Sequence, residues 1–172
     1  MSKCVATEFI PTRIAVLTLS SKRTLATDTA GELLVERIHA AGHELAARQI
    51  LPENIYQIRA LLSQWIVDPT ITTILTNGGT GITQKDVLPE AIQPLFDKSI
   101  EGFGELFRQL SYADIGTSTI QSRAIAGVAN GTILFCMPGS PKACTLAWDE
   151  IITKQLDSRN GPCNLIGVLP EL

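Results

Sequence analysis

The sequence predicts a three-layer α/β/α fold, built on a mostly parallel sheet with an antiparallel hairpin at its edge. Short apolar runs alternate along the chain with segments of helical periodicity, which is typical of α/β proteins. The first run, residues 14–19, is continuous, as in a parallel strand that is buried on both faces. An Asn-Gly pair between the last two runs favours a hairpin.

Five apolar runs predict the strands of this sheet. In chain order they span residues 14–19, 45–51, 71–76, 123–128 and 132–137. The second run is the weakest, because polar residues interrupt it. Asn130 and Gly131 separate the last two runs, so these strands should pair antiparallel.

Five segments with apolar residues at helical spacing predict the helices. Their apolar stripes run through residues 30–41, 55–66, 87–96, 103–110 and 143–151. Asp28 or Thr29 should cap the first helix and Asn54 the second, because short polar side chains accept hydrogen bonds from the free amides of a first turn. Gly42 should end the first helix, and Pro94 should kink or shorten the third.

Composition excludes several classes of protein. The chain has 172 residues, of which 45% are hydrophobic, and its net charge is −3. This fits one domain over residues 1–172, with a core of about 12–157 and an irregular tail at 158–172. The acidic balance disfavours general binding of nucleic acids. The apolar runs are far shorter than the ~20 residues that span a bilayer, so we expect no membrane partner. With no secretory signal, we expect a cytoplasmic protein with four reduced cysteines.

Three polar loops follow strands at the sheet edge where open parallel sheets bind ligands. They span residues 20–31, 77–86 and 138–142. The second, the glycine loop, begins with Asn77, Gly78, Gly79, Thr80 and Gly81. Glycines expose backbone amides that suit a phosphate, so this loop predicts an anion site; a tight turn without a ligand is the alternative. The loop fits neither the Walker A nor the G-x-G-x-x-G pattern.

Polar residues of these loops predict further contacts. Asp86 would hold Mg²⁺ against a phosphate or cap the following helix. Ser140 should cap the last helix, whose free first-turn amides favour an anion. Lys142 in that turn opposes the helix dipole, so a nearby anion would explain it; plain capping is the alternative. We expect Lys85 to be solvated.

His39 and His43 have the i, i+4 spacing that can hold a metal. The sequence supplies no third ligand within reach, and Gly42 lies between them near the helix end. We therefore expect both histidines on the surface.

In combination these motifs resemble the molybdenum cofactor biosynthesis protein B family, of the MoaB/Mog type, which has the molybdopterin-binding fold. The matching stretches are residues 28–31, 76–81, 101–105, 122–124 and 137–142, together with Asp86, Pro89 and Glu90. They occur in the order of the family, from the first strand to the last helix.

The resemblance implies a ligand, a reaction and an assembly. The ligand is molybdopterin, a pterin with a dithiolene and a terminal phosphate. In adenylyltransferase members, MgATP transfers AMP to that phosphate, which prepares the dithiolene for molybdate insertion. By this resemblance the residues that bind molybdopterin and ATP are Asn77, Gly78, Gly79, Thr80, Gly81, Ser20, Asp28, Gly139, Ser140 and Lys142. Asp86 and Glu53 would be catalytic and bind Mg²⁺, and the chain would form trimers or hexamers.

Glu53 departs from the family pattern. Adenylyltransferase members carry an Asp after the proline that follows the second strand, whereas here Pro52 precedes Glu53. The longer side chain shifts the carboxylate, and Mg²⁺ requires near-ideal octahedral geometry. Three functions therefore stay open: a molybdopterin adenylyltransferase, a carrier of molybdopterin or its precursor, and a generic nucleotide-phosphate-binding protein.

Self-association also follows from the apolar residues themselves. The helix with Phe103 and Phe107 and the tail 165–169 carry more large apolar side chains than we expect one small domain to bury.

Overall fold

Six strands form one sheet within residues 5–169, the part of the chain that the computed structural model describes. They are β1 (Arg13–Leu19), β2 (Glu44–Leu51), β3 (Thr73–Asn77), β4 (Lys98–Ser99), β5 (Ile125–Ala129) and β6 (Thr132–Met137). Their order in the sheet is β2-β1-β3-β6-β5-β4. The neighbouring strands β2, β1, β3 and β6 are parallel to one another, whereas β5 pairs antiparallel with both β6 and β4. The predicted sheet is confirmed, with β4 as an additional edge strand of two residues.

Helices cover both faces of the sheet. They are α1 (Thr29–Ala40), α2 (Ile55–Val67), α3 (Leu88–Ile92), α4 (Glu101–Ile115), α5 (Pro141–Ala147), α6 (Thr153–Leu156) and α7 (Leu165–Val168). Ile14 and Val16 of β1 share a core with α1, α4, α5 and α6, whereas Ala15 and Leu17 share one with α2 and α3. The strand is thus buried on both faces, which confirms the three layers. None of the helices within residues 5–169 is long and apolar enough to cross a bilayer.

The predicted helix signals act as expected in the first half of the chain. The Asp28 side chain accepts from the Gly31 amide at 3.0 Å, and Asn54 Oδ1 accepts from two amides of α2. Helix α3 ends at Ile92 and continues only as a 3₁₀ turn at Gln93–Leu95, because Pro94 cannot donate to a helical hydrogen bond.

Two later elements deviate from a regular pattern. In the hairpin between β5 and β6, Asn130 and Gly131 have φ of 49° and 76°, as a tight turn of this kind requires. Helix α5 continues into α6 through a π-helical turn at Trp148–Ile152. Trp148, Ile151 and Ile152 of this turn are all buried in the core.

The tail beyond residue 157 is more ordered than the sequence predicts. It contains α7, whose Ile166 is buried in the core of α1 and α4. Ser158 is also buried, and its Oγ donates to the Glu8 carbonyl and accepts from the Ile10 amide, both at 2.9 Å. Residues 170–172 of this tail lie outside the described part of the chain.

Phe103 and Phe107 are both buried in the core beside Phe135. Ile166 is buried as well, whereas Leu106 of α4 is 41% exposed, so the fold buries part of the apolar surplus from which we inferred self-association. The three cysteines within residues 5–169 are free thiols, and Cys4 lies outside that range. Burial raises the pKa of Cys136 and Cys144 to about 12.

The surface prediction for His43 is wrong, whereas His39 is exposed as expected. Gly42 has a left-handed φ of 85°, which turns the chain after α1 and carries His43 inward to 4% exposure. Its Nδ1 lies 3.2 Å from the Thr12 amide nitrogen and 3.0 Å from Thr12 Oγ1. Burial lowers the pKa of His43, partly opposed by the charge of Asp157.

The free energy of unfolding should therefore fall as the pH is lowered and His43 becomes protonated. Below the unfolded-state pKa of 6.5, the unfolded chain protonates this ring more readily than the folded chain does. Measured by urea unfolding from about pH 7.5 to about pH 5, the free energy of unfolding should fall more steeply in the wild type than in His43→Asn. His39→Asn is the control and should keep the wild-type slope. Equal slopes in all three proteins would contradict the prediction.

Two glycines of α4 provide a matched test of packing. A Cβ at Gly104 would lie 2.3 Å from the Ala124 carbonyl oxygen, whereas one at Gly102 meets nothing within 4 Å. Gly104→Ala should lower the free energy of unfolding by about 1–3 kcal/mol, because α4 must move away from Ala124, which directly precedes β5. Gly102→Ala should leave it unchanged or raise it by up to about 1 kcal/mol. Denaturant unfolding measures both, and equal effects would refute the close helix–strand contact.

Candidate functional site

A cleft of about 300 Å³ opens at the carboxyl ends of β3 and β6. It is bounded by the glycine loop, the loop after β6 and α4. The lining residues are Gly79, Thr80, Gly81, Asp86, Phe107, Ser111, Ile115, Gln121, Ser122, Pro138, Gly139, Ser140 and Ala143. Asp86 is the single charged residue in this set. The cleft thus combines hydroxyl groups and bare backbone with an apolar wall from α4.

The first two glycines of the glycine loop shape the turn itself. Gly78 and Gly79 have φ of 93° and 66°, which other residues rarely adopt. A Cβ at Gly79 would lie 3.0 Å from Leu19 Cδ1, so it would meet the core. A Cβ at Gly139 would lie 3.0 Å from Gly78 Cα, because the two loops touch there. The tight-turn interpretation therefore explains Gly78 and Gly79 without a ligand.

Asp86 lies at the end of the glycine loop and does not cap α3, because Val87 occupies the N-cap position. Its Oδ2 accepts from the Thr83 amide at 2.9 Å and from Thr83 Oγ1 at 2.6 Å. Burial raises the pKa of Asp86, but donors from Thr83 and Gly81 and the charge of Arg123 outweigh it, and the pKa is lowered overall. A fixed, ionised carboxylate therefore borders the cleft.

Sequence reasoning assigned no role to Arg123, which holds the glycine loop. Its Nε donates to the Gly81 carbonyl at 2.7 Å and its Nη2 to the Asp86 carbonyl at 2.5 Å, while Nη1 pairs with the Glu90 carboxylate. Its backbone amide donates to the Thr80 carbonyl at 2.9 Å. The only sequence signal is its place in the stretch 122–124.

Asp28 and Asn77 lie in a buried network beneath the loops. The Thr18 hydroxyl donates to Asp28 at 2.7 Å and accepts from Asn77 Nδ2 at 2.8 Å. Arg48 completes the network with a contact of 3.3 Å to Asp28. The two predicted ligand-binding residues therefore link the ends of β1 and β3, and neither lines the cleft.

Glu53 and Ser20 lie on the loop side that faces β2. Ser20 Oγ accepts from the amides of Lys22 and Arg23, which closes the turn after β1. The hydrogen bond from Ser21 lowers the pKa of Glu53, and the charge of Lys85 lowers it further. Glu53 is therefore ionised, and its carboxylate interacts electrostatically with Lys85, the residue that precedes Asp86.

Lys142 contacts a carboxylate of the protein. Its Nζ lies 2.5 Å from Asp114 Oδ1, and both residues line a second cavity of about 370 Å³ between α4 and α5. Ser140 lines both cavities and caps α5 as predicted, accepting from the Ala143 amide at 3.2 Å. The structure thus brings Ser140, Gly139 and Asp86 together at one cleft, with Lys142 beside it.

The fold and this cleft define a class: open α/β proteins whose ligand site lies beyond the carboxyl ends of parallel strands. Comparisons with known proteins narrow the class. Residues 15–158 match the family model of a probable molybdopterin binding domain. The chain is 55% identical over 160 residues to molybdenum cofactor biosynthesis protein B of Escherichia coli strain K12, covering 93% of this chain and 94% of the relative.

Solved structures agree with this family. A crystal structure of a molybdenum cofactor biosynthesis protein B is 40% identical, with a TM-score of 0.83, and the match covers 86% of this chain and 92% of that one. The tungsten cofactor synthesizing protein MoaB from Pyrococcus furiosus is 31% identical, with a TM-score of 0.75 over 84% of this chain and 92% of its own. The chain belongs to the molybdenum cofactor biosynthesis proteins of the MoaB/Mog family and carries their molybdopterin-binding domain.

Gly81→Ala should raise the pKa of Asp86 toward its usual value. The added Cβ would lie 2.8 Å from Asp86 Oδ2, so the carboxylate must turn away from Thr83 and lose hydrogen bonds that lower its pKa. NMR titration of the Asp86 carboxyl carbon measures the change, and Gly102→Ala is the control. An unchanged pKa in Gly81→Ala would show that the carboxylate keeps its contact with Thr83.

Proposed function

We propose that the protein binds molybdopterin in the cleft between the glycine loop and Ser140 and adenylylates it with MgATP, which prepares the dithiolene for molybdate insertion. The single observation that carries the proposal is the ionised carboxylate of Asp86 at the edge of a cleft whose other lining residues are uncharged. An acid in this position suits a metal that accompanies phosphates, and the remaining surface suits a polar heterocycle.

The reaction is a nucleotidyl transfer, in which the AMP group of ATP moves to the phosphate of molybdopterin. An oxygen of the molybdopterin phosphate attacks the α-phosphorus of ATP, the bond from that phosphorus to the β-phosphate oxygen breaks, and pyrophosphate leaves. The glycine loop admits the phosphates close to its backbone, and Thr83 keeps the Asp86 carboxylate oriented and ionised. Mg²⁺, when bound, neutralises the charge that the phosphates bring together.

The donor groups fit a Mg²⁺ ion that arrives with ATP. Within residues 5–169 no three His, Cys, Asp or Glu side chains converge on a common point, so the protein forms no closed cage. Mg²⁺ commonly binds through one or two carboxylates and completes its shell with phosphate oxygens and water. Asp86 would supply the first carboxylate. Glu53 would supply the second after release from Ser21.

A carrier of molybdopterin or its precursor is the second candidate function. The contact between Glu53 and Ser21 favours it, because this carboxylate is engaged within the protein. Such a carrier needs the cleft but neither ATP nor Mg²⁺.

The proposal extends to location and assembly. A cytoplasmic location agrees with the free thiols of Cys136, Cys144 and Cys163. Assembly as a trimer or hexamer would cover exposed apolar side chains on α4 and the 3₁₀ turn after it. They are Leu106, Tyr112, Ile115 and Ile120, between 41% and 77% exposed.

The carboxylates provide the decisive test of this function. Asp86→Asn should keep molybdopterin binding but lower AMP transfer by about 10²-fold or more, because the charge that holds Mg²⁺ is lost while the shape is kept. Glu53→Gln should lower transfer as well, and Glu53→Asp should raise it. The assay follows adenylylated molybdopterin formed from MgATP, with Glu36→Gln, an exposed carboxylate on α1, as the control.

Two results would contradict the proposal in different ways. Equal rates for wild type, Asp86→Asn and Glu53→Gln would refute the roles of the two carboxylates. Tight binding of molybdopterin without any transfer, by wild type and by Glu53→Asp, would establish the carrier instead.

A further inference from the structure

Residues 81–86 form a short loop whose two ends are held by one side chain. The Arg123 guanidinium donates to the carbonyls of Gly81 and Asp86, the first and last residues of this segment. The Arg123 amide also donates to Thr80, just before the segment. Arg123 itself precedes β5, so these contacts tie both ends of the loop to the sheet.

The loop in turn fixes the carboxylate of Asp86. The carboxylate accepts two hydrogen bonds from Thr83, which lies inside the segment, and packs closely against Gly81. Its position therefore depends on the spacing between the ends of the loop, which Arg123 sets.

The surroundings of Arg123 make direct contact with a phosphate unfavourable. A third contact pairs its Nη1 with Glu90 of α3. The concavity of about 340 Å³ next to it has three charged lining residues, Asp86, Glu90 and Arg123, so two acids face one base. An anionic ligand would meet net negative charge there. The guanidinium is also committed to three acceptors of the protein, so its effect passes through the loop.

We infer that Arg123 is a positioning residue for AMP transfer: its planar fork sets the shape of the loop 81–86 and thereby presents the Asp86 carboxylate to the cleft. The inference rests on the proposed adenylyltransferase function. Shape is required in addition to charge, because the three acceptors match the fixed donor directions of a guanidinium. A lysine at this position would keep the positive charge and lose the fork.

Arg123→Lys therefore separates positioning from charge. Arg59→Lys is the matched control, because Arg59 also donates to two backbone carbonyls, those of Glu90 and Ala91, but does not touch the loop 81–86. Three quantities are measured in both variants and in wild type: amide hydrogen exchange of residues 81–86, kcat for adenylylation, and Kd for molybdopterin.

Arg123→Lys should speed exchange of the loop amides about tenfold and lower kcat by about 10–100-fold, because a displacement of about 1 Å suffices for such a loss. Its Kd for molybdopterin should stay within about twofold of wild type, since the interaction lost acts in the transition state. Arg59→Lys should match wild type in loop exchange and in kcat.

Either of two results would overturn the inference. In the first, Arg123→Lys exchanges the amides of residues 81–86 at the same rate as Arg59→Lys and has the same kcat. The other is a molybdopterin affinity that falls as far as kcat, because Arg123 would then support the whole cleft. Failure of the proposed function gives a different result, since wild type itself would form no adenylylated molybdopterin, and the positioning role of Arg123 in AMP transfer would fall with it.

Discussion

The candidate site depends on the pairing of β3 with β6. The parallel ladder joins Asn77 to Met137 at its last step, and one further hydrogen bond, from the Gly78 amide to the Met137 carbonyl at 3.1 Å, continues it beyond the strands. The two loops that follow are thus joined where they leave the sheet. Because Gly139 then lies against Gly78, the cleft begins directly at this junction.

Charge in the site is arranged in two layers. Beneath the loops, Asp28 and Arg48 compensate each other through a network that also includes Thr18 and Asn77. Buried groups of this kind are tolerated when they are paired. At the surface, the Asp86 carboxylate is oriented by hydroxyl and amide donors, so it keeps its charge available. The deep layer holds the strand ends in place, and the outer layer is open to a ligand.

Local patterns in the sequence predict most of the fold, because each one acts over a few residues. The apolar runs locate β1, β3 and β6, and Asn130–Gly131 locates the hairpin, since these signals need no partner from elsewhere in the chain. Strand β4 escapes prediction because its two residues are too few to show a pattern. His43 escapes because its burial depends on packing against distant parts of the chain.

The candidate site is less predictable from the sequence, because its contacts join residues that are far apart along the chain. Of the residues predicted in and beside the glycine loop, Gly81 and Asp86 line the cleft, whereas the side chain of Asn77 turns toward Thr18. Arg123 is 42 residues from the Gly81 carbonyl that it binds, so spacing along the chain cannot connect the two. Lys142 has a partner on α4 that only the tertiary fold brings near.

The π-helical turn at Trp148–Ile152 has a consequence for how this segment tolerates change in length. A regular α-helix rotates by about 100° per residue, so the wide turn offsets the phase of α6 relative to α5 by roughly that amount. Ala147 before the turn and Leu156 after it are both fully buried in this offset arrangement. Loss of one residue within the turn would return it to regular α-helix and keep Leu156 on the core side, whereas one further inserted residue would rotate Leu156 away from the core, so this segment should accept a deletion more readily than an insertion.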